Sequence, residues 1–557
     1  MTNIRQSLKV VMIAGVCGLP LGLASQEVVK PLKEAASART VLNSGILTAY
    51  VETFNKHDNE LYTNAFPNKK AVEFLQGNIP LFDCPDEDIR RTYYFRWWTF
   101  RKHVKQTPDG WVITEFLPQV PWSGKHNTIS CPAGHHFREG RWIHDRKYLD
   151  DYGVFWFRKG GSVRAYSFWA ADSIWSQFLV TGNDQPIKEL LPDLIKNYEE
   201  WEKEKRDPNG LFWQIDDRDG MEISIGGSGY RATINSYMYG DAVAITKMAG
   251  RMGNKEVSEK FRAKAIEIRK LTQEKLWDEK AGFFKVLPRG EGKQLADVRE
   301  EHGFTPWYFH LPEPNKGYEV AWKQLMDPQG FYAPYGPTSA ERRHPGFKLS
   351  HQSPSCQWNG PSWPFATAVT LTAMANVLND YPQNVITKAD YLDILRMYAR
   401  SQQRKLEDGT MVPWIDENLD PLTGDWVTRD VILDEEARRK KEGQPIGLVE
   451  RGKDYNHSTF CDLVITGLVG LHPRSDDIIE VNPLVPENKW DSFCLDDVLY
   501  HGRSLTILWD KTGTKYGRGA GLSVLVDGKL IAHGVKLGKL TGKLTEIVRN
   551  STTHPAP

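Results

Sequence analysis

Two stretches of the chain place acidic residues where loop chemistry would use them. In residues 211–242, LFWQIDDRDGMEISIGGSGYRATINSYMYGDA, four acids (Asp216, Asp217, Asp219 and Glu222) fall within seven residues, ahead of a glycine-rich run and a helix start. In residues 411–430, MVPWIDENLDPLTGDWVTRD, Asp416 and Glu417 stand beside Trp414 and before a Pro-x-Thr-Gly turn. Carboxyls from two separate loops are what cleavage of a bond between sugars requires. One protonates the leaving oxygen, and the other activates water or attacks carbon. Burial among aromatic residues would raise the pKa of one of them, as a general acid needs. The same acids could equally be solvated turn residues and helix caps.

Three further clusters could bind what such a pair cleaves. In CQWNGPSWPFATA (356–368), Trp358 and Trp363 bracket Asn359 and a Gly-Pro turn that opens a helix. Indole faces can stack on the C–H faces of sugar rings while an amide bonds hydroxyls. In ERGKDYNHSTFCD (450–462), Arg451, Lys453, Asp454 and His457 precede an apolar helix, as ligand contacts or as an ion-paired cap. The early set, YYFRWWTFRKH (93–103) and HHFREGRWIHDRKYLDD (135–151), offers Trp97, Trp98, Arg101, His136, Arg138 and Trp142. His135 and His136 are chain neighbours, which chelate one ion poorly, and no Cys/His run has zinc spacing. Neither a metal centre nor a cofactor is expected.

These loops need a scaffold, and from about residue 164 helical patterns dominate. SFWAADSIWSQFLVTGN ends at a Gly-Asn stop; further helices follow at 186–205, 234–253, 257–277, 363–381, 389–405 and 458–471. An amphipathic helix is expected at 40–62, and short strands with long loops over 90–160. Paired helices with functional loops between pairs suggest a toroid of helical hairpins. After about 474, segments rich in Val, Leu and Ile separated by Asp-Gly and Thr-Gly turns read as hairpins.

Composition narrows the function. The 557 residues carry 71 basic and 71 acidic side chains, 40% are hydrophobic, and Trp, Tyr and Phe number 19, 21 and 23. A disordered chain and a basic nucleic-acid binder are both excluded by that balance. Residues 1–24 read as a secretory signal peptide, with Arg5 and Lys9 ahead of an apolar run too short to span a bilayer comfortably. Its removal leaves a net charge of about −2 and a periplasmic or secreted protein with no stable membrane insertion. Cys84, Cys131, Cys356, Cys461 and Cys494 remain, enough for at most two disulfides.

In order and spacing the motifs resemble the (α/α)6-barrel glycoside hydrolases of the trehalase and family 63 α-glucosidase type, including the mannosylglycerate-hydrolase-like branch. Gly220-Met221-Glu222 before Ile234-Asn235-Ser236-Tyr237, GPSWP at 360–364, and Glu417 in ENLDPLTG carry the resemblance, over roughly residues 90–475. It implies an inverting mechanism, with Glu222 at the general-acid position and Glu417 at the general-base position. Family members generally have Asp at the acid position, so Asp219 stays an alternative acid. The family's usual Pro-Arg shortly after the acid is replaced here by SIGGSGYR, which leaves open whether Arg231 takes its place.

The reading is therefore a mainly α (α/α)6 toroid with a small C-terminal β-sandwich-like domain: signal peptide 1–24, catalytic barrel 40–474 with loop and strand insertions at 90–160, and a β domain at 475–549. Its expected activity is exo-hydrolysis of an α-linked oligosaccharide, with the clustered cations suggesting an anionic one. Arg231, Asn235, Tyr237 and the aromatic and basic residues named above would bind the sugar. A polysaccharide lyase or sugar epimerase using Tyr230 or a histidine, and a non-catalytic carbohydrate-binding protein, are the alternatives.

Overall fold

The computed structural model describes residues 40–444 and 450–545; the signal-peptide reading at 1–24 and the last residues of the β segment, 546–549, lie outside the described residues. Helices run in chain order as α1 (Gly45–Lys56), α2 (Ala71–Asn78), α3 (Glu87–His103), α4 (Ala133–Gly140), α5 (Lys147–Arg158), α6 (Ala170–Thr181), α7 (Gln185–Lys205), α8 (Ala232–Arg251), α9 (Lys255–Leu276), the short α10 (Thr305–Tyr308), α11 (Pro364–Asp380), α12 (Lys388–Ser401) and α13 (Val427–Lys441).

Their sequences sort them into two layers. In α11 every residue from Pro364 to Ala375 is buried, and the first half of α8 is buried on all sides. Helices apolar all round belong inside. By contrast α9 buries Phe261, Ala265, Ile268, Thr272 and Leu276, a stripe at three- and four-residue spacing, and shows solvent its charges. Helix α9 packs on α8, α12 on α11, and α5 and α7 on the α4 to α8 row. The two ends of the helical region also meet. Glu139 of α4 accepts backbone N–H bonds from Phe460, Cys461 and Asp462 at 2.9–3.1 Å. Thr92 of α3 donates to the Ala399 carbonyl of α12 at 3.1 Å.

Local signals act as expected at several ends. Gly182 closes α6 at φ 66°, a left-handed position that suits glycine. Asn254 caps α9, and Thr387 and Asp390 form a capping box on α12.

Two expectations need correction. Residues 90–103 form α3, not strands and loops. From Tyr93 to His103 every side chain on it is buried, and the charged ones are bonded internally. With no solvent face there is no amphipathic period to read. Helices α4 and α5 likewise occupy the expected loops, and the strand content is the hairpin β2 (Val104–Thr107) and β3 (Gly110–Ile113). Residues 458–471 give only a π-helical turn at 463–468. Gly467 lets the Tyr391 hydroxyl approach the backbone, and Gly470 at φ 79° ends the turn.

The C-terminal region is strand-rich. Antiparallel β10 (Ser492–Tyr500), β11 (Arg503–Asp510), β12 (Gly521–Val526) and β13 (Lys529–Gly534) form a meander; β8 (Leu471–His472), β9 (Ile478–Val481) and β14 (Leu540–Lys543) form a second sheet. The first sheet also takes in β1 (Leu81–Asp83), which pairs Phe82 with Leu495, so an N-terminal segment completes the C-terminal sheet. The five described cysteines are free thiols.

Candidate active site

A cavity of about 400 Å³ opens where the inner helices begin. It is ringed by the segments before α4, α8 and α11 and by the 355–358, 417 and 451–457 loops. Helix N-termini point positive dipole ends at such a site.

Glu222 is fixed by its neighbours. The turn ahead of it needs Gly220 at φ 72°, where a Cβ would lie 2.5 Å from the Cys131 sulfur. Ile223 after it is held at φ 62°, a strained position for a β-branched residue. The Glu222 carbonyl accepts from Trp358 N–H at 3.0 Å, and the Cys356 thiol donates to Glu222 Oε2 at 2.8 Å. Burial raises its pKa, and the thiol bond partly offsets this.

Glu417 comes from the segment after β6 (Gln403–Lys405) and β7 (Met411–Pro413). Its neighbour Asp416 turns away, accepting from Trp414 Nε1 at 2.7 Å and Arg429 Nε at 3.0 Å. Leu419 and Ser362 exchange backbone bonds at 2.9 and 3.0 Å, stitching this loop to the GPSWP helix start. Glu417 is 5% exposed. Burial pushes its pKa up to about 7; Arg451 pulls it down, while Asp416 and Glu222 push it up. Arg451 is held by Ser355 Oγ at 3.0 Å and by Glu435. Arg451→Gln should move the acidic limb of the kcat/KM profile upward from about pH 7, because the lost cation leaves Glu417 protonated to a higher pH. An unmoved limb would separate Arg451 from the base.

Of the residues singled out in the sequence, Asp217, Glu222, Glu417, Trp358, Trp363, Arg451 and His457 line the cavity. Trp358 and Trp363 stack on each other at 4.4 Å, with His457 at the edge of Trp363. The remaining candidates are placed elsewhere and correct the expectation. Asp219, the alternative acid, is locked by Arg231 Nε at 2.7 Å and by the Thr233 hydroxyl, and its Oδ1 is sealed from solvent. Arg231 is equally buried and also bonds Ser224 and the Gly227 carbonyl, so it braces the acid loop without reaching the cavity. Arg231→Leu would strand a buried Asp219 charge and should lower stability by about 3–5 kcal/mol in chemical denaturation. A loss under about 1 kcal/mol would contradict that role.

The rest are internal fasteners. Asn235 pins Phe212 through both ends of its amide at 2.8–2.9 Å. Tyr237 packs on Trp169. Trp97 is core, in edge contact with Tyr93 and Phe100. Trp98 bonds Asn55 under the Lys102 ammonium. Arg101 bonds the Phe66 carbonyl and Asn68. Trp142 bonds Asp462, and Arg138 bonds Asp172 over the Tyr308 ring. His136 is bonded to Tyr152 and the Asn456 carbonyl, and burial drops its pKa to about 4. Lys453 pairs with Asp58. The Asn359 carbonyl accepts from Lys348 N–H, while its buried side-chain oxygen is unbonded. Tyr230 donates to Asp207 and is also absent from the cavity lining, which removes a base that the lyase alternative had named.

Sequence reasoning missed Glu115, Tyr455, Cys356 and the half-exposed Trp122 at this cavity. A signal for Glu115 existed: it lies within WVITEF, a lone acid in an apolar run, which is costly to bury unless it has work to do.

Two carboxyls from separate loops, both with pKa values raised by burial, share one pocket with aromatic rings, an arrangement that suits cleavage of a glycosidic bond. The family comparison agrees. Residues 125–458 match the mannosylglycerate hydrolase MGH1-like glycoside hydrolase domain, and the chain belongs to that family. Residues 473–533 match the C-terminal domain of glycosyl hydrolase family 65. A solved structure named sialidase is 43% identical with a TM-score of 0.83, over 91% of this chain and 45% of its own. A family 78 rhamnosidase of Bacillus sp. GL1 shares the fold at 12% identity and a TM-score of 0.50, over 77% of this chain and 40% of its own. An uncharacterized protein of Borreliella burgdorferi is 26% identical over 140 residues, 24% of this chain and 28% of that protein. The chain thus spans less than half the length of each of these three proteins.

Proposed function

We propose that this protein removes terminal sugars from an α-linked oligosaccharide by an inverting mechanism, within an (α/α)6 toroid whose ring closes through Glu139 and residues 460–462. The observation that carries the reading is one cavity in which Glu222 and Glu417, from separate loops, both have raised carboxyl pKa values. Glu222 gives its proton to the glycosidic oxygen. Glu417 takes a proton from water as that water attacks the anomeric carbon from the opposite face. The products are a free sugar of inverted configuration and the shortened alcohol. A base whose pKa lies near 7 and an acid whose pKa burial raises suit these roles.

The cavity volume is near the low end of the ~300–1,000 Å³ range of small-molecule pockets, which favours a chain end over a polymer threaded through. Its charge argues against the anionic substrate that the sequence suggested. Arg101, Arg138 and Lys453 are bonded elsewhere, while the lining carries Glu115, Asp217, Glu222 and Glu417 against Arg218 and Arg451. A neutral sugar fits that balance better. For the same reason the name sialidase is not carried over, and more than half of that protein lies outside the match. The signal-like residues 1–24 support action outside the cytoplasm.

The test is incubation with α-glucosyl, α-mannosyl and α-rhamnosyl disaccharides and plant oligosaccharides. Release of a single terminal sugar supports the reading; internal cleavage, or an unsaturated product, would overturn it.

A further inference from the structure

The two proposed catalytic groups leave a third acid in the cavity without a role. Glu115 lines it at 6% exposure, and its main chain is clamped. Asn456 N–H donates to the Glu115 carbonyl, and Asn456 Nδ2 to the Thr114 carbonyl, both at 3.1 Å. The Tyr455 hydroxyl donates to Glu115 Oε1. Oε2 makes no hydrogen bond to a described residue, yet it is not sealed from solvent as the buried unpartnered atoms are.

The surroundings decide the charge state. The titratable groups facing Glu115 are Glu417, Glu222, Tyr455, Cys131 and Tyr152. None is a cation. Arg451 is engaged with Ser355 and Glu435, and Arg218 stacks on Tyr166. A buried carboxylate facing two other carboxyls and no cation is disfavoured. Burial, with those two acids, pushes the pKa up to about 8 against the Tyr455 bond. The neutral carboxyl carries an O–H. Oε1 already accepts from Tyr455, so the free donor position is on Oε2, where no described residue supplies an acceptor.

We propose that Glu115 is a third working residue of the cavity, a carboxylic acid whose O–H donates to a hydroxyl or ring oxygen of the bound terminal sugar. This rests on the hydrolase reading above and adds to it. Glu222 and Glu417 move protons, whereas Glu115 holds the sugar and keeps its proton through the reaction. A neutral, oxygen-rich ligand supplies the acceptor. An anionic sugar group there would meet three acids.

The test compares Glu115→Ala and Glu115→Gln on whichever disaccharide of the panel the wild-type protein cleaves fastest. Loss of the donor in Glu115→Ala should lower kcat/KM by about 100-fold, and Glu115→Gln, whose amide N–H stands in the same place, should recover all but about tenfold. The second readout is thermal melting against pH. The folded-state pKa of Glu115 exceeds the unfolded value, so its contribution to stability is full below about pH 4.3 and is lost as pH rises through about 8. Gln removes that titration, so the gap between the Glu115→Gln and wild-type melting temperatures should shift in favour of the variant between pH 5 and pH 9. Glu115→Ala with wild-type kcat/KM, Glu115→Gln as damaged as Glu115→Ala, or a melting gap that does not change with pH would each overturn the inference. Failure of the hydrolase reading looks different: Glu222→Gln and Glu417→Gln would then turn over substrate normally.

Discussion

Glu417→Gln lowers kcat by about 10³-fold on every substrate, within the ~10²–10⁴ span of general base catalysis, and changes KM little. Gln keeps the shape of the side chain and removes only the ability to take a proton. Every substrate needs that proton taken from water, so the loss does not depend on the leaving group. The variant should also fold. Burial holds Glu417 at about 7 in the folded protein, so the group's stabilising contribution is full below about pH 4.3 and is lost as pH rises through 7. Gln has no such loss, and at pH 8 the variant should melt no lower than the wild type. Steady-state kinetics on a disaccharide and on its 4-nitrophenyl analogue, with a melting curve for each protein, check all three statements. Near-wild-type kcat on either substrate would remove Glu417 from the chemistry.

Glu222→Gln behaves differently. Protonation of the departing oxygen matters when that oxygen is a poor leaving group and little when it is a good one. The variant should lose about 10²- to 10⁴-fold in kcat/KM on a disaccharide, and at least tenfold less than that on the 4-nitrophenyl glycoside. The proposal of Glu222 as the acid rests on its setting. Glu222 sits at the cavity wall with burial raising its pKa, and Cys356 and Trp358 fix its carboxyl and its carbonyl. Equal losses on both substrates would contradict the assignment. Asp219, the other acid near that position, cannot reach the cavity without leaving Arg231 and Thr233.

What the sequence revealed followed physical rules. Helices with one wet face, such as α9, announced themselves by spacing, and Gly182 marked a helix end correctly. The Glu222, Glu417 and tryptophan motifs that line the cavity were legible because each is a short local run. Helix α3 was not, because burying Arg96, Arg101, Lys102 and His103 inside it erases the polar face that periodicity needs. Some of their partners, Ser458 for Arg96 and Asp454 for Lys102 among them, are more than 350 residues away. A separation of 340 residues hid the pairing of Glu115 with Tyr455, and a three-residue strand hid the way β1 completes the C-terminal sheet. The basic and aromatic wealth of residues 93–151 looked like a binding surface. Most of it proved to be internal scaffolding, with the cavity built from aromatic and acidic residues instead.

The measurement that bears most directly on the central claim is proton NMR of the cleavage reaction from its first minutes, before the freed sugar mutarotates. The account predicts one terminal sugar whose new anomeric signal is opposite to that of the bond cleaved, and no such signal with Glu417→Gln. A product that first appears with the original anomeric configuration, or the same release from Glu417→Gln, would contradict it.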